Sequence, residues 1–208
     1  MLDKAVAVLR ALEGSPRSLG ELVEVTGFSR ATTHRLAVAL EAHGLVRRDD
    51  DGRFALGIGL VALGRAAAEE LPLSTAAQPA LRALRDATGE SVQLYVREGD
   101  RRVCVAALES PHGLRTIVPM GASLPLDAGS AGRVLAGDSG KPWVASVGER
   151  EAGVASVSAA VRGPDGRVLA AVSVSGPIER TSRRPGQRYG DQVVAAAAEI
   201  EHAAGLHP

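Results

Sequence analysis

Aromatic residues are almost absent from this 208-residue chain, at 2% of the total, with one Trp, two Tyr and two Phe. Its core must therefore be assembled from Ala, Val and Leu, within an apolar content of 45%. Cysteine occurs once, at Cys104. One thiol excludes an internal disulfide framework and any zinc site built on several cysteines. No apolar run approaches the roughly 18 residues that a bilayer-spanning helix needs. No secretory leader is visible, because Met1 is followed directly by an amphipathic stretch containing Asp3 and Lys4, and a cytoplasmic protein is expected. Excess charge is missing too. Twenty-four Lys and Arg balance 24 Asp and Glu, so bulk electrostatics lend nothing to a nucleic-acid reading.

Charge is uneven along the chain, however. Between residues 29 and 48, Arg30, Arg35, Arg47 and Arg48 face Glu41 alone. Such a patch suits a groove-reading element, since screening limits phosphate attraction to nearby cations. The surrounding pattern agrees. LDKAVAVLRAL places Leu2, Val6, Leu9 and, more loosely, Leu12 at helical spacing, and Gly14, Ser15 and Pro16 stop the helix. Ser18 with Glu21 three residues later reads as a capping box, with Leu19, Leu22 and Val23 inward and Gly27 as the stop. Ser29 caps a third helix with Leu36, Leu40 and Thr33 on one face, and Gly44 ends it.

On the other side of that third helix fall Arg30, His34 and Arg35. Thr32 lies in the first turn, where hydroxyls and free N–H groups reach phosphate. Arg35 is suited to a guanine edge; Arg30 to a guanine or a phosphate. Two short strands, Leu45–Arg48 and Arg53–Leu56, flank Asp49-Asp50-Asp51-Gly52, a hairpin signal. The order is that of a winged helix-turn-helix, which sets its second helix in the DNA major groove. The candidate DNA contacts are Ser18, Ser29, Arg30, Thr32, His34, Arg35, Arg47 and Arg53. The acidic tip is expected to point away from phosphate. A helical bundle with a solvated cationic face is the competing account, in which His34 is an ordinary surface histidine.

Residues 57–72 read as an Ala/Leu-rich linker helix broken by Pro72, and a further helix covers about Ala76 to Thr88. Strands follow at Ser91–Arg97 and Arg102–Leu108, with a further short one expected at Thr116–Pro119. A Gly-rich loop, Asp127–Ala136, enters a helix. A hairpin, Val154–Arg162 and Arg167–Ser175, turns at Gly163-Pro164-Asp165-Gly166, and a last amphipathic helix spans Arg188 to Ala204. Period-two geometry sets Ser156, Ser158, Ser173 and Ser175 on one face of the hairpin and Val157, Val161, Val172 and Val174 on the other. The hydroxyl face is either an exposed sheet surface or the wall of a small-molecule cup.

No catalytic pattern emerges. A GxGxxG between strand and helix, a Walker loop and HExxH are all missing. Asp127 and Glu149 are the available acids, without a nominated partner. Cys104 lies within an alternating strand, the setting of a packed thiol. The chain is not expected to be an enzyme or to need a cofactor.

Taken together, LDKAVAVLRALEG, SRATTHRLAVALEAHGLV, RFALGIGLVALG and AAVSVSGPIER resemble the IclR family of bacterial transcriptional regulators over nearly the whole chain. VGEREAGVASVSAAVRG with AAVSVSGPIER is most similar to the actinobacterial branch that includes the NdgR/AreB-type regulators of amino-acid biosynthesis. The resemblance implies an α+β protein: a winged helix-turn-helix at 1–56, a linker helix at 57–72 and a GAF-like α/β effector domain at 73–208. It implies homodimers or homotetramers on near-palindromic double-stranded operators, without a membrane. It also implies effector contacts from Ser130, Ala131, Ser156, Ser173, Ser175 and Glu149, with an amino acid or 2-oxo acid as effector. An orphan regulator without effector, and a sensor with a vestigial helix-turn-helix, are the alternatives.

One departure stands out. After Ala136 the family continues through further helix, whereas GDSGKPW leads straight to Trp143. Roughly two dozen residues are missing by comparison, well beyond an ordinary loop length of about 15 or fewer. Either the segment is naturally reduced or residues are omitted from the chain. Omission is expected, because losing a helix there would uncover the pocket.

Overall fold

The structure, a computed structural model, describes residues 1–69, 71–138 and 140–206. The chain divides into two compact units, Met1–Glu70 and Leu71–Pro208.

In the first unit, α1 (Leu2–Ala11), α2 (Leu19–Thr26) and α3 (Arg30–Ala42) precede a two-stranded wing, β1 (Val46–Arg48) and β2 (Phe54–Leu56). Ser18 caps α2 through the full capping box: its Oγ accepts from Glu21 N at 3.3 Å, while its own N–H donates to Glu21 Oε2 at 2.7 Å. Gly27 leaves α2 at φ 70°, a left-handed conformation costly for any residue with a Cβ. The core is Val8, Leu12, Leu22, Ala37, Leu40, Val46 and Phe54. The buried side of α1 is therefore Val8 and Leu12, not Leu2 and Val6, which are exposed. Leu2 and Val6 belong to the stripe expected from spacing, whereas Val8 lies off it, and packing against α2 and α3 buries the Val8 side. Arg17 extends the wing by pairing with Phe54 through both backbone bonds, at 2.8 and 2.7 Å. Helix α4 (Gly59–Glu69) follows, with Ile58, Val61 and Leu63 exposed.

The second unit begins with α5 (Pro72–Thr88). Pro72 starts this helix four residues before the expected Ala76, because proline lacks only an N–H that the first turn would leave free. The strands are β3 (Ser91–Glu98), β4 (Arg101–Leu108), β5 (Ser123–Pro125), β6 (Val144–Val147), β7 (Val154–Arg162) and β8 (Val168–Pro177). They form one antiparallel sheet in the order β5-β4-β3-β8-β7-β6. The edge strand beside β4 is Ser123–Pro125, where it pairs with Arg101–Val103; the expected strand at Thr116–Pro119 is not formed.

One face of the sheet packs on α5 and on α8 (Pro185–Ala203) through Leu81, Leu84, Val157, Val161, Val172, Val174, Val193 and Ile200. Fully burying an aliphatic side chain contributes about 1.5–3 kcal/mol, so many Val and Ala contacts replace the few aromatics. The opposite face is covered by α6 (Ser130–Ala136) through Ala131, Val134 and Leu135. Val105 is an extra residue on β4 between Leu94↔Ala106 and Tyr95↔Cys104. This bulge lets the consecutive Val105 and Ala106 face α5 and α8 together, while Tyr95 and Cys104 face the α6 side. A short α7 (Ile178–Thr181) connects β8 to α8.

Candidate functional site

In the first unit, α3 is pinned at its start. Ser29 Oγ accepts from Thr32 N at 3.3 Å and donates to Thr32 Oγ1 at 2.9 Å. Thr33, fully buried, donates to Ser29 O at 3.1 Å and anchors the helix to the core. Arg30, His34 and Arg35 are exposed on the helix, and Arg47 is exposed on β1. Among the described residues, Arg30, Arg35 and Arg47 form no ion pair.

The other wing cations are engaged. Arg48 pairs with Glu41 at 3.3 Å and lies 4.5 Å above the Phe54 ring. Arg53 Nη2 donates to both Glu21 oxygens, at 3.2 and 3.1 Å. Glu21 is held below the usual carboxylate range chiefly by the Ser18 backbone N–H and hydroxyl, with Arg53 adding to it. Ser18 is likewise spent on its cap. At the wing tip, Asp49 Oδ1 accepts from Asp51 N at 3.1 Å and Arg53 N at 2.8 Å, so this carboxylate closes the turn. Of the three aspartates, Asp50 and Asp51 stay exposed there.

In the second unit the hydroxyl face is not a solvated surface. Ser158, Ser173 and Ser175 are at most 5% exposed, because α6 covers them. The register sets Ser158 opposite Ser173 and Ser156 opposite Ser175. Ser130, the first residue of α6, bonds to Ser156 and Ser158, each at 2.7 Å. Ser158 donates to Ser173 at 2.9 Å, and Ser175 donates to Gln93 Oε1 at 3.0 Å. Ser130, Ser156, Ser173, Ser175 and Gln93, with Ala131, Ser146, Tyr95, Arg102, Arg150 and Glu151, line a cavity of about 20 Å³, and Ser158 lies behind them.

Glu149 stands outside that lining and is exposed. Its Oε2 accepts from Gly129 N at 3.2 Å, and its Oε1 lies 3.4 Å from Arg133 Nη1. Sequence reasoning missed Gln93, Tyr95, Arg102, Ser146 and Arg150. Arg102 was legible in principle: it sits two residues before Cys104, on the same side of an alternating strand. Cys104 is fully buried, and burial pushes its thiol up to about 12.

A larger groove of about 390 Å³ lies between α8, β7 and the α6–β6 connection, near Trp143. Asp138, Lys141, Arg162 and Glu201 line it among apolar neighbours, and Glu201 accepts from the Arg162 backbone N–H at 2.7 Å. Among the described residues no cluster of His, Cys, Asp and Glu is placed to hold a metal ion. No helix among them is long and apolar enough to cross a membrane.

A capped reading helix with free guanidinium groups, followed by a wing and then an α/β unit with an enclosed polar cavity, defines a DNA-binding transcriptional regulator. Comparison with known families gives the same answer. Residues 1–50 match the IclR helix-turn-helix domain, and residues 65–141 and 138–202 match the C-terminal domain of the bacterial transcriptional regulator IclR. The chain belongs to the IclR family.

The chain is 26% identical to the HTH-type transcriptional repressor AllR of Escherichia coli K12, over all of its own length and 92% of that protein. It is 31% identical to the HTH-type transcriptional regulator KipR of Bacillus subtilis over 64% of its length, and this match spans about half (53%) of KipR. Its fold matches an IclR homologue from Microbacterium hydrocarbonoxydans, solved with 4-hydroxybenzoate. There the TM-score is 0.80 and the identity 20%, over 98% of each chain.

The two C-terminal matches meet at 138–141, inside the connection between α6 and β6. In this sequence five residues join Gly137 to Trp143. The expectation of an uncovered pocket fails for a physical reason. It is α6 that covers the serines, and α6 is intact.

Proposed function

We propose that this regulator is effector-responsive: α3 reads an operator, and a small polar metabolite in the serine-lined cavity alters its DNA affinity. Arg30 and Arg35 contact base edges or phosphate, Arg47, Thr32 and Ser29 hold the backbone, and His34 lies within the same footprint. Ser18 and Arg53 shape the interface by fixing α2 and the wing rather than by donating to DNA themselves. The observation that carries the effector reading is the concentration of hydroxyls at the cavity, with Ser130, Ser173 and Ser175 buried and Ser156 half-buried beside Gln93. Buried polar groups cost stability unless paired, and a dense row of them on one face fits ligand orientation better than core packing.

Candidate effectors are amino acids and their 2-oxo acids, in keeping with the likeness to the actinobacterial branch of amino-acid regulators. The aromatic acid bound by the Microbacterium homologue adds a third class. A homodimer or homotetramer on a near-palindromic site follows from the family pattern. The exposed Ile58, Val61 and Leu63 near and on α4 supply apolar surface for self-association.

Footprinting of the DNA upstream of its own gene, with and without these compounds, tests the proposal. A protected site whose affinity changes with one compound supports it; no protected site refutes it. A second reading, a regulator with no effector, draws on the cavity's size and on serines that already satisfy one another. Protection that no compound alters favours that reading.

A further inference from the structure

Arg102 is 3% exposed, yet among the described residues it forms no ion pair. Its Nη1 donates to the carbonyls of Pro125 and Ala128, and its guanidinium lies 5.4 Å from the Tyr95 ring centroid. Its Nε is buried with no hydrogen-bond partner at all. Carbonyl dipoles and a ring face offset only part of the cost of burying a full charge. Gly132 leaves the room it occupies, since a Cβ there would overlap Nη1. The neighbouring charges do not neutralise it. Arg150 lines the same cavity and repels it; Asp127, the acid that helps it, is exposed. Glu151, also at the cavity, is already paired with Arg150 at 3.2 Å.

With Nη1 occupied, the unused donors are those of the Nε–Nη2 edge. That edge is a fork whose spacing matches two carboxylate oxygens. We propose that the cavity is an anion site in which Arg102 holds the carboxylate of the effector through its Nε–Nη2 edge, while the serine row bonds the polar remainder. Arg150 at the same cavity is already offset by Glu151, so Arg102 carries the net positive charge there. At about 20 Å³ the cavity admits little more than a water-sized group, so α6 must shift to accept a larger one. This inference rests on the effector reading above and specifies the charge of its ligand.

The test uses the full-length protein and matched pairs of acid and primary amide: lactate with lactamide, benzoate with benzamide, and 4-hydroxybenzoate with its amide. Inorganic phosphate and sulfate form a separate arm. Binding is measured by calorimetry on wild type, Arg102→Lys and Arg102→Met, with circular dichroism as the folding control. At least one acid binds wild type ten- to a hundred-fold more tightly than its amide, as expected for a charge-assisted pair. Arg102→Met abolishes that preference, and Arg102→Lys, which keeps the charge without the fork, retains only part of it.

Should Arg102→Met fail to fold, the acid-to-amide ratio on wild type and the lysine variant decide. Amides binding as well as acids would overturn the anion site and leave the effector reading standing. The same holds if the lysine variant discriminates as wild type does. Phosphate or sulfate outcompeting every carboxylate would overturn the carboxylate assignment. If neither acids, amides nor inorganic anions bind, both this site and the effector reading fall.

Discussion

The hydroxyl of Ser158 donates to that of Ser173 at 2.9 Å, across adjacent strands whose register sets the two residues directly opposite. Both serines are buried, and Ser130 closes the row from α6. Leucine at position 173 would bring four carbons into space now held by hydroxyls. Ser173→Leu is therefore expected to abolish any ligand-induced change in operator binding while leaving DNA binding intact. Overpacking should also cost about 1–3 kcal/mol of stability. A gel shift with and without ligand, beside a thermal melt, reads both effects. A normal ligand response in this variant would sink the cavity as the effector site.

The wing separates two kinds of arginine. Arg35 is exposed without an ion pair, whereas Arg53 is bonded to Glu21. Arg35→Ala is expected to weaken specific operator binding by about 1–3 kcal/mol. Arg53→Ala should act mainly on stability and only slightly on affinity, because its free partner can be solvated. Equal losses of affinity in a titration of the two variants would show that Arg53 leaves Glu21 to reach DNA.

These distinctions mark where sequence patterns stop. Caps are local, so Ser18, Gly27 and Ser29 were readable and the ends of α2 and α3 follow them closely. The alternation of β7 and β8 is also local, and their serine and valine faces were legible. Which face lies under a helix is not local. Period two places Ser158 and Ser173 on one side without saying that α6 covers it. The same limit applies to α1, where Leu2, Val6 and Leu9 make an apolar stripe by spacing, yet packing buries Val8, which lies off that stripe. Arg102 was overlooked because an arginine in a strand usually signals an exposed face, although it shares the side of Cys104 two residues on. The edge strand β5 is three residues long, too short to show any period.

Glu90 is 2% exposed, and Arg180 binds both of its oxygens, at 2.7 and 2.8 Å. The two partners are unequal, since the Arg180 side chain keeps 28% exposure. Removing the arginine leaves a buried carboxylate without compensation, which typically costs about 3–5 kcal/mol. Removing the carboxylate's charge leaves an arginine that can turn to water. Chemical denaturation should therefore rank Arg180→Ala as clearly less stable than Glu90→Gln. The reverse order would mean that the pair does not control this end of β8.

Cys104 should be silent in the folded protein. Burial and a thiol pushed up to about 12 keep it protonated and out of reach at pH 8. Only the thiolate reacts with disulfide reagents, so labelling should track unfolding rather than follow a fast native phase. Because the folded value is raised, reactivity in the native state should rise only as pH approaches that value. Stoichiometric labelling within seconds at pH 8 would contradict this burial.

Trp143 lies across Gly186 and Gly190 of α8, and a Cβ on either glycine would overlap its indole ring. Two effects compete in Gly190→Ala. Alanine favours a helix interior over glycine by about 1 kcal/mol. Forcing the ring off the helix costs about 1–3 kcal/mol and also displaces the start of β6 at Val144. The steric term is the larger, so the variant should be less stable despite its better helix propensity. Trp143 is the single tryptophan of the chain, so its fluorescence reports on this contact alone. A red-shifted emission with a lowered melting temperature is the expected result. Unchanged emission with a raised melting temperature would mean that the ring does not rest on α8 and that helix propensity dominates at this position.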